Sequence, residues 1–151
     1  MLFRSCLRFC GSRSAAEDLL QEGFIRVFHD IRQYRGEGSL DGWVRRIFIR
    51  AGIAHFHSLQ KQPEIVELDQ LEYLMTQESG ELDPQDPESA LALLQKLPPG
   101  FRAVLNLAVL EEKSHEEIAR ALDITVGTSR SQLARAKAFL RKILQKTLVF
   151  A

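Results

Sequence analysis

The chain has 151 residues, with 20 Lys plus Arg against 20 Asp plus Glu, 45% hydrophobic positions and two cysteines. That suffices for one ordinary domain or two small ones with a modest core. No apolar run approaches the roughly 20 residues of a membrane span, and arginines in Met1-Leu2-Phe3-Arg4-Ser5-Cys6-Leu7-Arg8 stand where a signal peptide needs its apolar stretch, so a reducing cytoplasm is expected.

Cys6 and Cys10 lie four apart on what reads as a first helix. No second Cys pair and no nearby His completes a metal site, so both are expected to be small core residues, and no metal or cofactor is expected. Ser14 and Glu17 form a Ser-x-x-Glu capping box. Behind it Ala16, Leu20, Gly23/Phe24, Val27 and Ile31 recur every three or four residues, the stripe of an amphipathic helix ending near Gln33. The stretch Tyr34-Arg-Gly-Glu-Gly-Ser39 interrupts it with two glycines and offers Ser39 or Asp41 as the next cap. A third helix follows, with Trp43, Ile47, Ala51 and Ala54 on one side and Arg45, Arg46 and Arg50 interleaved; His55 and His57 read as solvated surface residues.

Residues 61 to 88 combine acidic groups with three of the five prolines and lack a long apolar period. They read as a linker with one short helical turn near Leu68 to Met75. Pro87 then suits the first turn of a helix through Lys96, Pro98-Pro99-Gly100 is a turn, and Phe101, Val104, Leu105, Ala108 and Val109 form the next apolar face. Ser114-His-Glu-Glu117 is a second capping box, opening a helix whose Ile118, Ala119 and Leu122 point inward. A short turn, Asp123-Ile124-Thr125, leads into a long basic helix from about Val126. Two short helices joined by a tight turn, the second carrying cations and hydroxyls, make a helix-turn-helix pattern. On that last helix Leu133, Ala136, Leu140 and Leu144 project to the buried side, while Thr128, Ser131, Arg135 and Lys142 face away, flanked by Arg130 and Gln132. Arg can pair bidentately with guanine, Gln with adenine, and Ser or Thr with either base or phosphate.

The neutral total hides an uneven distribution. Residues 1 to 60, 61 to 90 and 91 to 151 carry +3, −8 and +5, and from Ile124 onward there are six basic residues and no acidic one. Two cationic lobes flanking an acidic tether, the second ending in a basic helix, are the electrostatic footprint of a nucleic-acid binder. No segment alternates with period two. The expected fold is therefore all-α, two small helical domains (1–60 and 89–151) joined by an acidic linker (61–88), with the helix-turn-helix in the second. No Gly-rich phosphate loop, metal-ligand spacing or nucleophile-base pair argues for an enzyme, so no catalytic residue is expected.

Several stretches in this order resemble one family. They are Asp18-Leu-Leu-Gln-Glu22-Gly-Phe24-Ile-Arg-Val-Phe28, Tyr34-Arg-Gly36, Trp43-Val-Arg-Arg-Ile47, Leu97-Pro-Pro-Gly-Phe-Arg-Ala-Val104, Ser114-His-Glu-Glu-Ile-Ala119 and Val126-Gly-Thr-Ser-Arg-Ser-Gln-Leu-Ala-Arg-Ala-Lys137. Together they resemble bacterial RNA polymerase sigma factors of the extracytoplasmic-function type, promoter-specificity subunits with no catalysis of their own. The resemblance implies that the helix bearing Asp18, Gln21, Glu22 and Phe24 docks on a coiled coil of the largest subunit of the RNA polymerase core. It implies that Tyr34, Arg35, Trp43, Arg46 and Arg50 meet the −10 element, where aromatic faces and cations suit an unstacked strand, although Trp43 can equally plug the first lobe's core. It implies that Thr128, Arg130, Ser131, Gln132, Arg135 and Lys137 read the −35 element of promoter DNA. An anti-sigma factor is a common partner in the family, and no homo-oligomer is required.

The chain departs from the family at several places. Many members carry Asn at Arg50, Arg at Gln132 and Gly at Asp123, and Asp tolerates the left-handed dihedrals of that turn better than most residues. Relatives usually carry a further stretch ahead of the point where Met1 falls, which implies either a late start or a naturally short lobe. The alternative function is a stand-alone helix-turn-helix regulator with an N-terminal partner-binding domain.

Overall fold

In the computed structural model, residues 1–60, 64–77, 83 and 85–150 are described, the side chains at 64–66, 75, 77 and 146–150 excepted. The described residues form eight α-helices and no strand: α1 (Leu2–Phe9), α2 (Arg13–Asp30), α3 (Leu40–Leu59), α4 (Glu64–Gln77), α5 (Pro87–Lys96), α6 (Pro99–Leu105), α7 (His115–Leu122) and α8 (Val126–Phe150).

Each start has a local cause. Ser12, not Ser14, caps α2: its hydroxyl accepts from Ala15 N–H. The two-residue difference arises because both serines precede the same apolar stripe. Ser39 accepts from Gly42 N–H and starts α3. The loop before it turns on Gly36 and Gly38, both with φ above +70°, conformations that glycine adopts without a Cβ clash. Asp86 accepts from the N–H groups of Glu88 and Ser89 with Pro87 in the first turn of α5. The box predicted at Ser114 and Glu117 forms in both directions. Asp123 ends α7 at φ 55°, ψ 49°, the left-handed position expected of it.

Helices α1, α2 and α3 pack on one another around Cys6, Phe9, Leu19, Val27, Ile47, Phe48 and Phe56. The fit is close. A Cβ on Gly23 would overlap the Phe48 ring, and one on Gly52 would stand 2.6 Å from the Phe9 ring. Ala54, expected on the inner side of α3, is exposed. Burial pushes the thiols of Cys6 and Cys10 up to about 11, so both are inert at neutral pH.

The second lobe corrects the reading of the linker. Residues 61–63, 78–82 and 84 lie outside the described residues, but Glu64–Gln77 is a four-turn helix rather than a single turn, and it packs on α6 and α8. Leu71 is buried with Leu93, Leu97, Phe101, Phe139 and Ile143. Glu67, 4% exposed, accepts from Gly100 N–H at 3.1 and 3.2 Å with its two oxygens. That carboxylate satisfies an amide that the first turn of α6 leaves without a helical partner. The acidic stretch is thus partly a structural strap.

The two lobes also dock on each other, which neither periodicity nor charge foretold. Ala103, Val104, Leu107, Ile118 and Leu122 of the second lobe share the core cluster of the first. Arg102, 3% exposed, donates from Nε to the Phe9 carbonyl (3.1 Å) and from Nη1 to those of Gln95 (3.1 Å) and Leu97 (2.9 Å). At the periphery Arg45 pairs with Glu111 at 3.0 Å. His57 Nε2 meets the Ala121 carbonyl at 2.8 Å, so this histidine, exposed as expected, also contacts the second lobe. His55 is half-buried, and burial followed by the Arg102 charge lowers its pKa.

Arg102→Met keeps the side chain's length but strips three buried carbonyls of their donor. At about 1–3 kcal/mol per unpaired buried group, partly relieved by relaxation, the loss is expected to be about 3 kcal/mol. The expected outcome is a melting temperature lower by about 6–12 °C for a chain of this size, with a larger radius of gyration by X-ray scattering as the lobes part. An unchanged radius would show that the apolar contacts alone hold them.

Candidate nucleic-acid interface

Three exposed surfaces carry the residues expected to act, one on α2, one on the loop and face before and along α3, and one on α8. On α2 the buried stripe is Ala16, Leu19, Gly23 and Val27. Projected at 100° per residue, Asp18, Gln21, Glu22, Ile25 and Phe28 then share about 120° of arc on the opposite side, and all five are exposed. Ile25 is 68% and Phe28 75% exposed, and Ile31 continues the apolar ridge at 42%. Apolar residues held out in water beside carboxylates mark a surface built to meet a partner. Phe24 is split between roles: it is 39% exposed, yet its ring meets Phe48 edge-on at 5.4 Å. The stripe read through Ala16, Leu20, Gly23/Phe24, Val27 and Ile31 lies about 50° from the true core, and Ile25 was not singled out because it falls on the polar side of both. Glu22 pairs with Arg26 one turn on, an exposed pair that costs little to exchange for another partner.

At the second surface Tyr34 and Trp43 are half-buried with ring centroids 5.6 Å apart. The Tyr34 hydroxyl donates to the Gly38 carbonyl at 2.8 Å, which fixes the loop against the start of α3. Trp43 is partly buried against the first lobe's core, as the core-plug reading expected, and its remaining surface is open to solvent. Arg46 and Arg50, one turn apart on the Trp43 side of α3, are exposed, as is Arg35. Two aromatics flanked by three solvent-facing guanidinium groups can stack an unpaired base and neutralise its backbone.

The third surface needs a correction of phase. The core stripe of α8 runs through Ser129, Gln132, Ala136, Phe139 and Ile143, with Leu133, Leu140 and Leu144 only half-buried. Gln132, expected at the DNA face, is 4% exposed and sits with Glu67 against Gly100. It points inward because α4, read as tether, covers that side of the helix. Arg130, Arg135 and Lys137 are exposed as expected, Thr128 and Ser131 half-buried. Their hydroxyls are engaged locally, Thr128 with Thr125 at 2.9 Å and Ser131 with the Thr128 carbonyl at 3.1 Å. Thr125 caps the helix by accepting from Thr128 N–H. Ser129, fully buried, meets His115 Nδ1 at 2.9 Å and so fixes α8 against α7. That contact pairs two polar residues which no apolar period could reveal.

None of these surfaces offers a metal site: among the described residues no group of three His, Cys, Asp or Glu is placed to hold an ion, and no helix is long and apolar enough to cross a membrane.

Comparison with known proteins covers both lobes. The family model for Sigma-70 region 2 matches residues 1–62, and that for Sigma-70, region 4 matches residues 88–140. The chain is 32% identical to the ECF RNA polymerase sigma factor SigE of Mycolicibacterium smegmatis, over 96% of this chain and 58% of that protein. It is 29% identical to the RNA polymerase sigma-H factor of Pseudomonas aeruginosa, over 94% of this chain and 79% of that one. The chain thus spans a little over half the length of the first and about four-fifths of the second. A solved structure of the sigma factor RpoE in complex with the anti-sigma factor NepR, from Bartonella quintana, shares the fold with a TM-score of 0.59, covering 95% of this chain and 89% of that one at 19% identity.

The cap that positions the helix-turn-helix is titratable. The Ser114 N–H, then its hydroxyl, holds the Glu117 carboxyl below its ordinary 4.5. A lowered carboxyl pKa means stabilisation that is fully present above 4.5 and lost as pH falls through the lowered value. Carbon-13 titration of the Glu117 carboxyl is expected to show a midpoint under 4.5, moved upward by Ser114→Ala; a midpoint at 4.5 in the unsubstituted chain would show that the capping box does not form in solution.

Proposed function

The chain belongs to the bacterial RNA polymerase sigma factors of the extracytoplasmic-function type, and from that premise we propose that it docks on the polymerase core and directs initiation at promoters with matching −10 and −35 elements. The observation that carries this reading is the separation of one solvent-facing apolar and acidic ridge, on α2, from two cationic surfaces on α3 and α8. Asp18, Gln21 and Glu22, with Ile25 and Phe28 added, form the core-docking surface against the largest subunit's coiled coil, and Phe24 supports it from the edge. Arg35, Arg46 and Arg50 hold the backbone of the opened −10 strand while the exposed faces of Tyr34 and Trp43 stack its bases. Arg130, Arg135 and Lys137 enter the −35 duplex, with Ser131 and Thr128 within reach of phosphate; Gln132 is left out because it is buried. An anti-sigma factor is a further partner on the same premise. The role requires no catalytic group or cofactor, and it places the chain where polymerase and chromosome are, in the cytoplasm.

Reconstitution with core enzyme on a promoter library tests the reading, with start sites as the readout. Glu22→Ala is expected to weaken core association several-fold without altering which promoters are used. Arg135→Ala is expected to cost −35-dependent initiation about 5- to 150-fold, the 1–3 kcal/mol of a lost base or phosphate contact, with core affinity unchanged. Swapped outcomes would reverse the roles of the lobes. Tight duplex binding by the chain alone, with no specific initiation on any sequence, would favour a stand-alone regulator.

A further inference from the structure

The buried stripe of α3 ends in a titratable side chain. Phe48 fills the space at Gly23 of α2, and Gly52, four residues on, meets the Phe9 ring at the end of α1. His55 comes seven residues after Phe48 and returns to within about 20° of it, so it continues the same line, half-buried. The line runs out where the Phe9 carbonyl accepts from Arg102 at 3.1 Å. A histidine therefore stands at the corner where the buried guanidinium of α6 joins the lobes, and the Arg102 charge bears on it.

The other groups at this corner do little to offset a proton on that ring. Arg102 spends its donors on three neutral carbonyls, and Glu67, which acts on it from α4, is held by the Gly100 N–H. Helix α2 offers His55 the Glu22 carboxylate, exposed and already paired with Arg26. Helix α1 ends in the Cys10 thiol, which stays neutral and has Asp18 of α2 as its own charged neighbour. Helix α7 meets this end of α3 through the Ala121 carbonyl on His57. His57 donates to that carbonyl whether neutral or charged, so its contact survives protonation.

We propose that His55 is an acid-sensitive release for the lobe interface: a proton on its ring sets a second cation beside Arg102 and drives α6 away from α1 and α3. In the docked chain burial first, then Arg102, holds His55 below its ordinary 6.5. Parted lobes leave the ring in water at its ordinary value, so the parted form binds the proton more tightly. Docking is fully present above 6.5. As pH falls from there to the lowered value, the ratio of docked to parted chains drops by up to about tenfold per pH unit. The consequence rests on the function proposed above. Elements named −10 and −35 lie about 25 base pairs apart, roughly 85 Å of duplex at 3.4 Å per pair, whereas a folded chain of this length has a radius of gyration of about 15 Å. Both elements are read at once only with the lobes apart, and acidification favours that form.

X-ray scattering of the full chain across a urea series, at pH 7.5 and pH 5.5, tests the release without polymerase or DNA, so its outcome is separate from that of the promoter assay. The urea midpoint at which the radius of gyration rises ahead of any loss of helix is expected to fall on acidification. His55→Gln should remove most of that fall, while the other histidines still titrate. His55→Lys, a permanent cation, should show the low midpoint already at pH 7.5. Nitrogen-15 NMR of the unsubstituted chain should give His55 a titration midpoint below 6.5, and this measurement stands even if a variant fails to fold. A urea midpoint that ignores pH, an equal fall in His55→Gln, or a His55 midpoint at or above 6.5 would each overturn the proposal.

Discussion

A guanidinium group buried where two helices end governs how this chain is put together. Arg102 lies at the C-termini of α1 and α5, and its acceptors are carbonyls of Phe9, Gln95 and Leu97 that no further helical turn can satisfy. Both helix dipoles present their negative ends there, which offsets part of the cost of taking a cation out of water. Burial lowers its pKa, yet a guanidinium stays protonated at any ordinary pH. One side chain thus closes two helix ends from different lobes. The apolar contacts of Ala103, Val104 and Leu107 with the first lobe follow from where Arg102 holds α6.

With α6 fixed, the next constraint is what covers it. Gly100 stands where α6 begins and has no Cβ, so Glu67 and Gln132 can both close on it; any side chain there would collide with the Glu67 carboxylate. Helix α4 is drawn onto α8 by the same contact and by Leu71. The long helix then carries two faces with different duties. Its inner stripe of Ser129, Gln132, Ala136, Phe139 and Ile143 is spent on α4, α6 and α7, and its outer cations stay in water.

What could be read from the residues was whatever depended on neighbours in sequence. The Ser39, Pro87 and Ser114 to Glu117 starts, the left-handed Asp123 and the all-α composition are local, so patterns of three or four residues carried them. The phase of α8 was not legible. A stripe of Leu133, Leu140 and Leu144 is the obvious apolar face by hydropathy, but the covering helix α4 rotates the buried side toward Gln132 and Phe139. That covering depends on one carboxylate reaching an amide 33 residues away, and an acidic, proline-flanked stretch looks the same whether its acids are solvated or capping. The cationic face of α8 proposed for the −35 element was legible through its arginines, which are exposed under either phase. The ridge proposed for docking was largely legible: Asp18, Gln21 and Glu22 declare themselves by polarity and Phe28 as an aromatic off the buried stripe, whereas the exposure of Ile25 shows only once no neighbour covers it.

The lobe interface is a mixture of one expensive element and several cheap ones. The Arg45–Glu111 pair has its arginine half in water but its carboxylate only 6% exposed, so it stands between a surface pair and a buried one. The small apolar patch of Val104, Leu107 and Ile118 adds burial, while the Arg102 cluster cannot be parted without leaving carbonyls bare. A partner that grips the lobes in some other arrangement must therefore supply the free energy of re-solvating Arg102, and contacts at the rim barely alter that requirement.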